Sequence, residues 1–314
     1  MQAIRRTPET MEGAILEAGS TPNVVEVSRE GSVYVLKLCG ANGYEPENRW
    51  TLRFCRAVHK AFDAIESALS EAPAQPAALL TVTGSSKFFS NGIDVEWLSS
   101  GPPHAELREW NDLVMPAFAR PLYLPIPTIA ACTGHAFGAG FMFALGHDYI
   151  LQRKDRGYLC APEVAIGVDI PDAELELFRY SMPADAFFDT VLRARRWTAT
   201  DALQRGVISA TLDGDAAGMH TQALAFAERE AQLVASGSEV FSSIKSRSKG
   251  HVADGLLAGA IPHAGGERES IVRNGRRSGG NPLPPGLVKR VAELGERNGG
   301  VLSNQSTSTS TSKL

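Results

Sequence analysis

Two stretches carry the residue types and spacing that suit chemistry. In Ile129 to Ile150, IAACTGHAFGAGFMFALGHDYI, an apolar run turns through Gly134 and Gly138-Ala139-Gly140 and goes on with helical spacing, which predicts a buried strand feeding a helix N-terminus. A helix start leaves backbone N–H groups without partners inside the helix, with the positive end of the dipole behind them, so such a spot suits an anion. Small residues at 138 to 140 let a ligand atom reach hydrogen-bonding distance of the backbone, which larger side chains would prevent. The loop Lys87 to Asp94, KFFSNGID, is expected to face this junction. Taken alone, Gly138, Ala139 and Gly140 describe tight strand-to-helix packing better than an anion site.

The titratable residues nearby divide by context. His135 and His147 flank the central helix and are expected to be satisfied core or surface groups. Asp94 is expected to order its own loop, and Asp148, closing the central segment, to be structural. Cys39, Cys55, Cys132 and Cys160 stand singly in apolar surroundings with neither close pairing nor zinc-site spacing, which predicts reduced core thiols and no metal site. Residues 1 to 20 place Arg5, Arg6, Glu9 and Glu12 where a secretory signal needs an apolar region.

The elements that must position the two stretches follow from periodicity. Val24 to Val27 and Val33 to Leu38 read as a hairpin about Arg29-Glu30-Gly31-Ser32. Leu52, Cys55, Val58, Phe62, Ile65 and Leu69 then recur every three or four residues, the mark of a helix with one apolar face. Ala77 to Val82 is a short apolar strand, Val95 to Leu98 a helical turn, Ala105 to Ala119 a helix closed by Pro121, and Thr128 to Cys132 the next strand. Strands are expected at Tyr149 to Gln152 and around Gly157 to Cys160. This alternation predicts an α/β architecture whose loops at strand ends carry the site.

Past Pro171 the pattern becomes helical: Ala173 to Tyr180, Pro183 to Arg195, a helix opened by the capping box Thr198-Ala-Thr-Asp201, then Asp215 to Ala235 and Glu239 to Arg247. The segment Gly279 to Gly286 reads as a linker and Leu287 to Arg297 as a terminal helix. The expected organisation is an N-terminal arm over 1–22, a core over 23–210, a helical C-terminal region over 211–300 and a flexible tail over 301–314.

A chain of 314 residues with 43% hydrophobic content can bury a large core, and a net charge of −4 with dispersed basic residues implies neither a nucleic-acid nor an anionic-membrane surface. Apolar runs are broken by charges or glycines well before the roughly 18 residues of a membrane span. The tract SNQSTSTSTSKL has almost no apolar content and reads as a solvated tether. It ends in Ser312-Lys313-Leu314, an address read by the peroxisomal import receptor, so a location in the peroxisomal matrix is expected.

Four motifs in order, KFFSNGID (87 to 94), TGHAFGAGFMFALGHDYIL (133 to 151), APEVAIGVDIP (161 to 171) and WTATDALQRGVIS (197 to 209), resemble the crotonase, or enoyl-CoA hydratase/isomerase, superfamily. Within it the chain is most similar to the plant-type peroxisomal delta-3,delta-2-enoyl-CoA isomerases, which move a double bond of a fatty acyl-CoA. The resemblance implies a spiral of strand-strand-helix units, a C-terminal helical region, a homo-oligomer (trimer or hexamer), and a place in fatty acid β-oxidation. It also implies an oxyanion hole made by the backbone N–H groups of Ile93 and Ala139. Preorganised donors at that oxygen stabilise an enolate more than the ground state.

Hydratases of this family hold a water between two glutamates. Here the first position is Met142, whose thioether cannot orient or deprotonate water, and the second is Glu163, which is kept. One carboxylate over an enolate pocket suits double-bond migration, because the same group can take a proton from the alpha carbon and return it to the gamma carbon. The apolar neighbours Cys160, Ala161, Val164, Ile166 and Val168 are expected to raise the Glu163 pKa. The resemblance further implies substrate contacts from Ser90, Asn91, Gly92, Asp94, Gly138, Gly140 and Met142, with coenzyme A entering only as part of the acyl-CoA substrate and no separate cofactor. Lys87, Lys245, Arg247 and Lys249 are candidates for its phosphates, the last three reading equally as a solvated helix face. A second acid from Asp169, Asp172, Glu174 or Glu176 would fit a dienoyl-CoA isomerase. A thioesterase or a non-catalytic acyl-CoA-binding subunit would also suit the same fold, since fold alone does not fix the reaction.

Overall fold

A computed structural model describes residues 9–10, 24–40, 47–72, 75–235 and 238–259. The chain divides into a unit over Met1–Ala260 and another over Ile261–Leu314, and every described residue belongs to the first. The expected linker at Gly279 to Gly286, the helix at Leu287 to Arg297 and the tail with Ser312, Lys313 and Leu314 therefore lie outside the described residues, as does most of the N-terminal arm.

In chain order the elements are β1 (Glu9–Thr10), β2 (Val25–Glu30), β3 (Val33–Leu38), α1 (Leu52–Glu71), β4 (Ala78–Thr83), β5 (Phe88–Ser90), α2 (Val95–Ser99), α3 (His104–Tyr123), β6 (Thr128–Cys132), β7 (His135–Phe137), α4 (Ala139–Leu145), β8 (Tyr149–Arg153), β9 (Leu159–Cys160), α5 (Glu163–Ile166), α6 (Asp172–Ser181), α7 (Ala184–Val191), α8 (Ala199–Gln204), β10 (Ala210–Leu212), α9 (Ala216–Val234) and α10 (Ser238–Gly259). Seven strands form one sheet in the order β1-β2-β3-β4-β6-β8-β10, and β5, β7 and β9 form a second.

The hairpin β2–β3 is antiparallel, pairing Val25 with Leu38 and Glu30 with Val33. From β3 onward the large sheet is parallel, with Val33 beside Ala78, Leu79 beside Thr128, Ile129 beside Tyr149 and Leu151 beside Ala210. Parallel neighbours need a crossover. The β3–β4 crossover is α1, and each of the three later ones begins with a short strand of the second sheet: β4 is followed by β5, β6 by β7 and β8 by β9 before the chain turns helical. That repetition is the spiral of strand-strand-helix units.

One face of the large sheet, Val33, Val35, Ala78, Leu80, Ile129, Ala131, Leu151 and Leu212, packs on Met219, Ala223, Ala227 and Ala231 of α9. The i, i+4 spacing of those four residues places them on one helix stripe, and three alanines let the helix lie close to the sheet. On the other side, Trp50 meets Phe54, Phe118 and Phe143 edge-on, each with ring centroids 5.1 Å apart. Thr51, Asp94, Thr198 and Asp215 cap α1, α2, α8 and α9 by accepting a backbone N–H two or three residues into each helix.

Several expectations change. Past Pro171 the chain is not wholly helical, since pairing with β8 makes the three residues of β10 a strand, and β1, inside the expected N-terminal arm, pairs with β2. The helix α3 does not close at Pro121 but runs to Tyr123, carrying Pro116 and Pro121 inside it. The hydrogen bonds those prolines forgo are outweighed by burial of Trp110, Leu113, Phe118 and Leu122 and by a clamp to α1, in which the wholly buried Arg120 pairs with Asp63 at 2.8 Å and Glu66 at 3.0 Å. Likewise α10 extends well past Arg247. It is pinned by Asp148, which accepts from Lys245 Nζ at 2.6 Å, Lys249 Nζ at 2.5 Å and the Thr128 N–H at 2.8 Å. Burial works against the Asp148 charge, but the two lysines prevail and hold its pKa below the usual range.

Candidate functional site

The three-stranded sheet acts as the jig for the site. Pairing of β5 with β7 sets Phe88 beside His135 and Ser90 beside Ala136, so the turn leaving β5 at Gly92-Ile93 comes against Phe137 to Ala139. Pairing of β7 with β9 sets Phe137 beside Cys160, with the Gly138 N–H donating to the Cys160 carbonyl at 2.9 Å, and so brings the next residues, Ala161 to Glu163, over Gly138. All three crossovers thus deliver chain to one place.

Two glycines make the approach possible. Gly92 has φ +84, and a Cβ there would stand 2.9 Å from the Phe137 carbonyl oxygen and 3.8 Å from the Ala139 nitrogen. Gly138 has φ +51 and ψ −121, a conformation that side-chain-bearing L-residues avoid, and a Cβ on it would lie 2.9 Å from Glu163 Oε1. The carboxyl of Glu163 therefore sits directly above the turn that opens α4.

Around this point lies a cavity of about 300 Å³ lined by Asn91, Gly92, Ile93, Gly138, Ala139, Met142 and Glu163 from the motifs, with Trp110, Val114 and Met115 of α3, Ile166 at the end of α5, Val168 after it, and Glu174 of α6. The Gly138 carbonyl accepts from the N–H groups of Phe141 and Met142, at 2.9 and 3.0 Å, and Trp50 donates to the Gly92 carbonyl at 2.9 Å. The intervening N–H groups of Ala139 and Ile93 donate to no acceptor among the described residues, and both residues line the cavity. Two residues with unused backbone donors thus line the same space as an acid.

That acid is buried. Glu163 is 8% exposed, its Oε2 has no hydrogen-bond partner among the described residues, and burial pushes its pKa up against the opposing pull of its own backbone N–H. It opens the short helix α5, which ends at Gly167 in a left-handed conformation, so the carboxyl projects from a fixed turn rather than a long loop. Met142, 3% exposed, stands on the same wall.

Ser90, Gly140 and Asp94 serve the scaffold and do not line the cavity. Ser90 is fully buried and its hydroxyl donates to the Asn48 carbonyl at 2.8 Å; Gly140 packs against it, a Cβ there falling 2.5 Å from the Ser90 carbonyl oxygen. Asp94 caps α2, accepting from the Trp97 N–H at 3.2 Å, beside Arg49. Asn91 reaches the cavity and is held by Glu47 through its side chain at 2.9 Å. His147 donates from Nδ1 to the Phe143 carbonyl and accepts at Nε2 from Thr81, and burial pulls its pKa down to about 4, so it stays neutral. His135 Nδ1 accepts from the Tyr158 N–H, and burial also lowers its pKa.

Of the candidate phosphate ligands, Lys245 is 4% exposed and Lys249 is bound to the same Asp148, so both hold α10 in place. Arg247 and Lys87 are exposed. Among the four acids after Glu163, Asp172 and Glu176 are exposed, Asp169 lies exposed at the mouth, and Glu174 alone is buried on the cavity wall. The α3 contribution, Trp110, Asn111, Val114 and Met115, is not among the residues that the motifs single out; its signal is a helical stripe that continues past the residues packed on α1.

Comparison with known proteins identifies the family and the fold. The family described as enoyl-CoA hydratase/isomerase matches residues 50–258. Enoyl-CoA delta isomerase 3 of Arabidopsis thaliana is 32% identical over 223 residues, 70% of this chain and 89% of the relative. The peroxisomal enoyl-CoA delta isomerase 2 of the same plant is 34% identical over 188 residues, 58% of this chain and 78% of the relative. Among solved structures, an enoyl-CoA hydratase of Mycobacterium ulcerans superposes with a TM-score of 0.65 at 22% identity, covering 76% of this chain and 96% of its own. An enoyl-CoA hydratase of Bacillus halodurans does so with a TM-score of 0.63 at 16% identity, covering 87% and 100%.

Proposed function

Because this chain belongs to the enoyl-CoA hydratase/isomerase family, we propose that it is an isomerase that moves the double bond of a 3-enoyl-CoA to the 2 position. In this scheme the thioester oxygen sits between the N–H groups of Ile93 and Ala139. The Glu163 carboxylate takes a proton from the alpha carbon, the C–H electron pair spreads through the adjacent double bond onto the thioester oxygen, and the neutral Glu163 then returns the proton to the gamma carbon. No atom is gained or lost. Two donors at the oxygen stabilise the dienolate more than the starting thioester, at about 3 to 4 kcal/mol of barrier for one such donor.

The observation that carries this reading is the Glu163 carboxyl: buried, with Oε2 unpartnered, and lining the same cavity as Ile93, Ala139 and Met142. A raised pKa makes Glu163 a stronger base once charged. Met142 offers no second carboxylate to orient a water, which favours migration over hydration. The scheme calls for no cofactor beyond the coenzyme A carried by the substrate.

The test is an ultraviolet assay of 3-hexenoyl-CoA beside a dienoyl-CoA. Glu163→Gln should abolish isomerisation while acyl-CoA binding persists; turnover equal to that of the parent would remove Glu163 from the mechanism. We further propose a homo-oligomer, checked by light scattering, and a role in β-oxidation within the peroxisome. Two of the plant relatives are named peroxisomal. Deleting Ser312 to Leu314 should leave a tagged protein cytosolic, and an unchanged punctate pattern would contradict that placement.

A further inference from the structure

Glu174 is the second acid on the cavity wall, and nothing in the scheme above uses it. It is 8% exposed and lines the same space as Glu163, with no hydrogen bond or ion pair among the described residues. Its place on α6 offers no ordinary structural duty. A glutamate in the first turn of a helix typically reaches back to the N–H of the capping residue, but the residue before α6 is Pro171, which has none. Nor is the side chain at the surface: Glu174, Leu177 and Phe178 fall at i, i+3 and i+4 and are all buried, whereas Asp172, Glu176 and Arg179 face solvent.

The charges around it are few. Glu163 of α5 is the charged group that bears on it, Asp169 stands exposed at the mouth, and α3 and α4 present Trp110, Asn111, Val114, Met115 and Met142, none of which titrates. From α10, which packs on α6, the ring of His251 lies against Tyr180. Burial first, and Glu163 second, push the Glu174 pKa up to about 8. Near neutral pH it is mostly a carboxylic acid, with one O–H to donate and a carbonyl oxygen to accept.

The surrounding wall is apolar, with Val95, Leu98, Val114, Met115, Phe137 and Met142. A plain hydrocarbon chain closing over Glu174 would strand both polar atoms, an unsatisfied burial that sites built around a hydrogen bond penalise heavily. A hydroxyl satisfies both when the carboxyl is neutral, accepting from its O–H and donating to its carbonyl oxygen, and it still donates one hydrogen bond when the carboxyl is charged. We infer that Glu174 is a specificity residue that hydrogen-bonds a hydroxyl on the acyl chain, so that this cavity prefers a hydroxylated enoyl thioester to the plain hydrocarbon one. The inference rests on the reading of the cavity as an acyl-thioester site.

The experiment uses the full chain and its Glu174→Leu, Glu174→Met and Glu174→Gln variants. Substrates are paired 3-enoyl-CoA thioesters that differ only by a hydroxyl at successive carbons beyond the double bond. Binding of the matching saturated thioesters is measured by calorimetry. At one hydroxyl position the parent should favour the hydroxylated partner at least tenfold in kcat/KM and in Kd; Glu174→Gln should keep part of that ratio, and the two apolar variants should lose it while turning over the plain substrate at least as well as the parent. The inference is overturned if the parent shows no preference at any position, a result that needs no variant to fold. It is also overturned if the ratio is unchanged in the apolar variants, or if a folded apolar variant loses turnover of the plain substrate, which would put Glu174 in the proton transfer. Should the parent isomerise neither substrate yet bind the hydroxylated thioester tenfold tighter in a Glu174-dependent way, the isomerase reading fails and the specificity stands.

Discussion

Replacing Gly138 by alanine tests the site geometry at its tightest point. The backbone there, φ +51 and ψ −121, is open to glycine and strained for alanine, at a cost of about 1 to 3 kcal/mol of stability. The added methyl would stand 2.9 Å from Glu163 Oε1, inside the ~3.3 Å at which carbon and oxygen ordinarily meet. The oxygen is the free end of a side chain, so the clash is relieved by displacing the carboxyl, and φ relaxes by turning the peptide that carries the Ala139 N–H. Misaimed donors cost about 10²- to 10³-fold in rate, so kcat for 3-hexenoyl-CoA should fall by roughly that factor with KM little changed. Gly214→Ala is the matched control, since Gly214 has φ +97 with nothing within 4 Å of a Cβ; it should lose stability by urea melting and keep its turnover. A Gly138→Ala protein that melts lower yet turns over within about threefold of the parent, a loss of well under 1 kcal/mol in barrier, would refute the proposed pairing of Ala139 with Glu163.

Two further outcomes follow from the buried charges. The Glu174 carboxyl has a folded pKa of about 8 against an ordinary 4.5, so its favourable contribution is complete below pH 4.5 and drains away as pH rises toward 8. The penalty grows by about 3 kcal/mol between pH 5.5 and 8.5, so Glu174→Gln should gain stability over the parent across that range in urea unfolding, and a pH-independent difference would contradict the burial. Asp148→Asn leaves Lys245 and Lys249 without their shared carboxylate and should cost about 3 to 5 kcal/mol. Adding Lys245→Met should recover most of the loss, whereas a single variant melting like the parent would show that the cluster does not hold α10.

The large sheet was legible from β2 to β8, where each strand announces itself, but not at its edges, where β1 and β10 are two and three residues long. Val33 to Leu38, Ala78 to Val82 and Thr128 to Cys132 are apolar runs bounded by turn residues, and the stripe Leu52 to Leu69 repeats at helical spacing over five turns. Of the second sheet only the strand around Gly157 to Cys160 was expected, and β5 and β7 were not. Its strands are two or three residues long, Phe88–Ser90, His135–Phe137 and Leu159–Cys160, too short for any period to show, and they exist because the neighbouring crossovers hold them in register. Tertiary packing likewise carries α3 through Pro116 and Pro121, where local propensity argues for a stop.

The same contrast governs the site. Residues chosen for backbone reasons could be read from type alone: Gly92 and Gly138 adopt the positive φ that their identity permits, and Ile93 and Ala139 follow them in sequence. Residues that act through side chains depend on which helix face ends up inside, and that is settled far away in the chain. Lys245 and Lys249 look like a solvated basic face until Asp148, 97 residues before Lys245, is seen to take both. Glu174 hides in an opposite way, since an acid in a first turn is the usual complement to a helix dipole. What separates it from that role is written locally after all: a proline cap that cannot donate the reciprocal bond, and Leu177 and Phe178 three and four residues on, which turn the glutamate toward the cavity together with themselves.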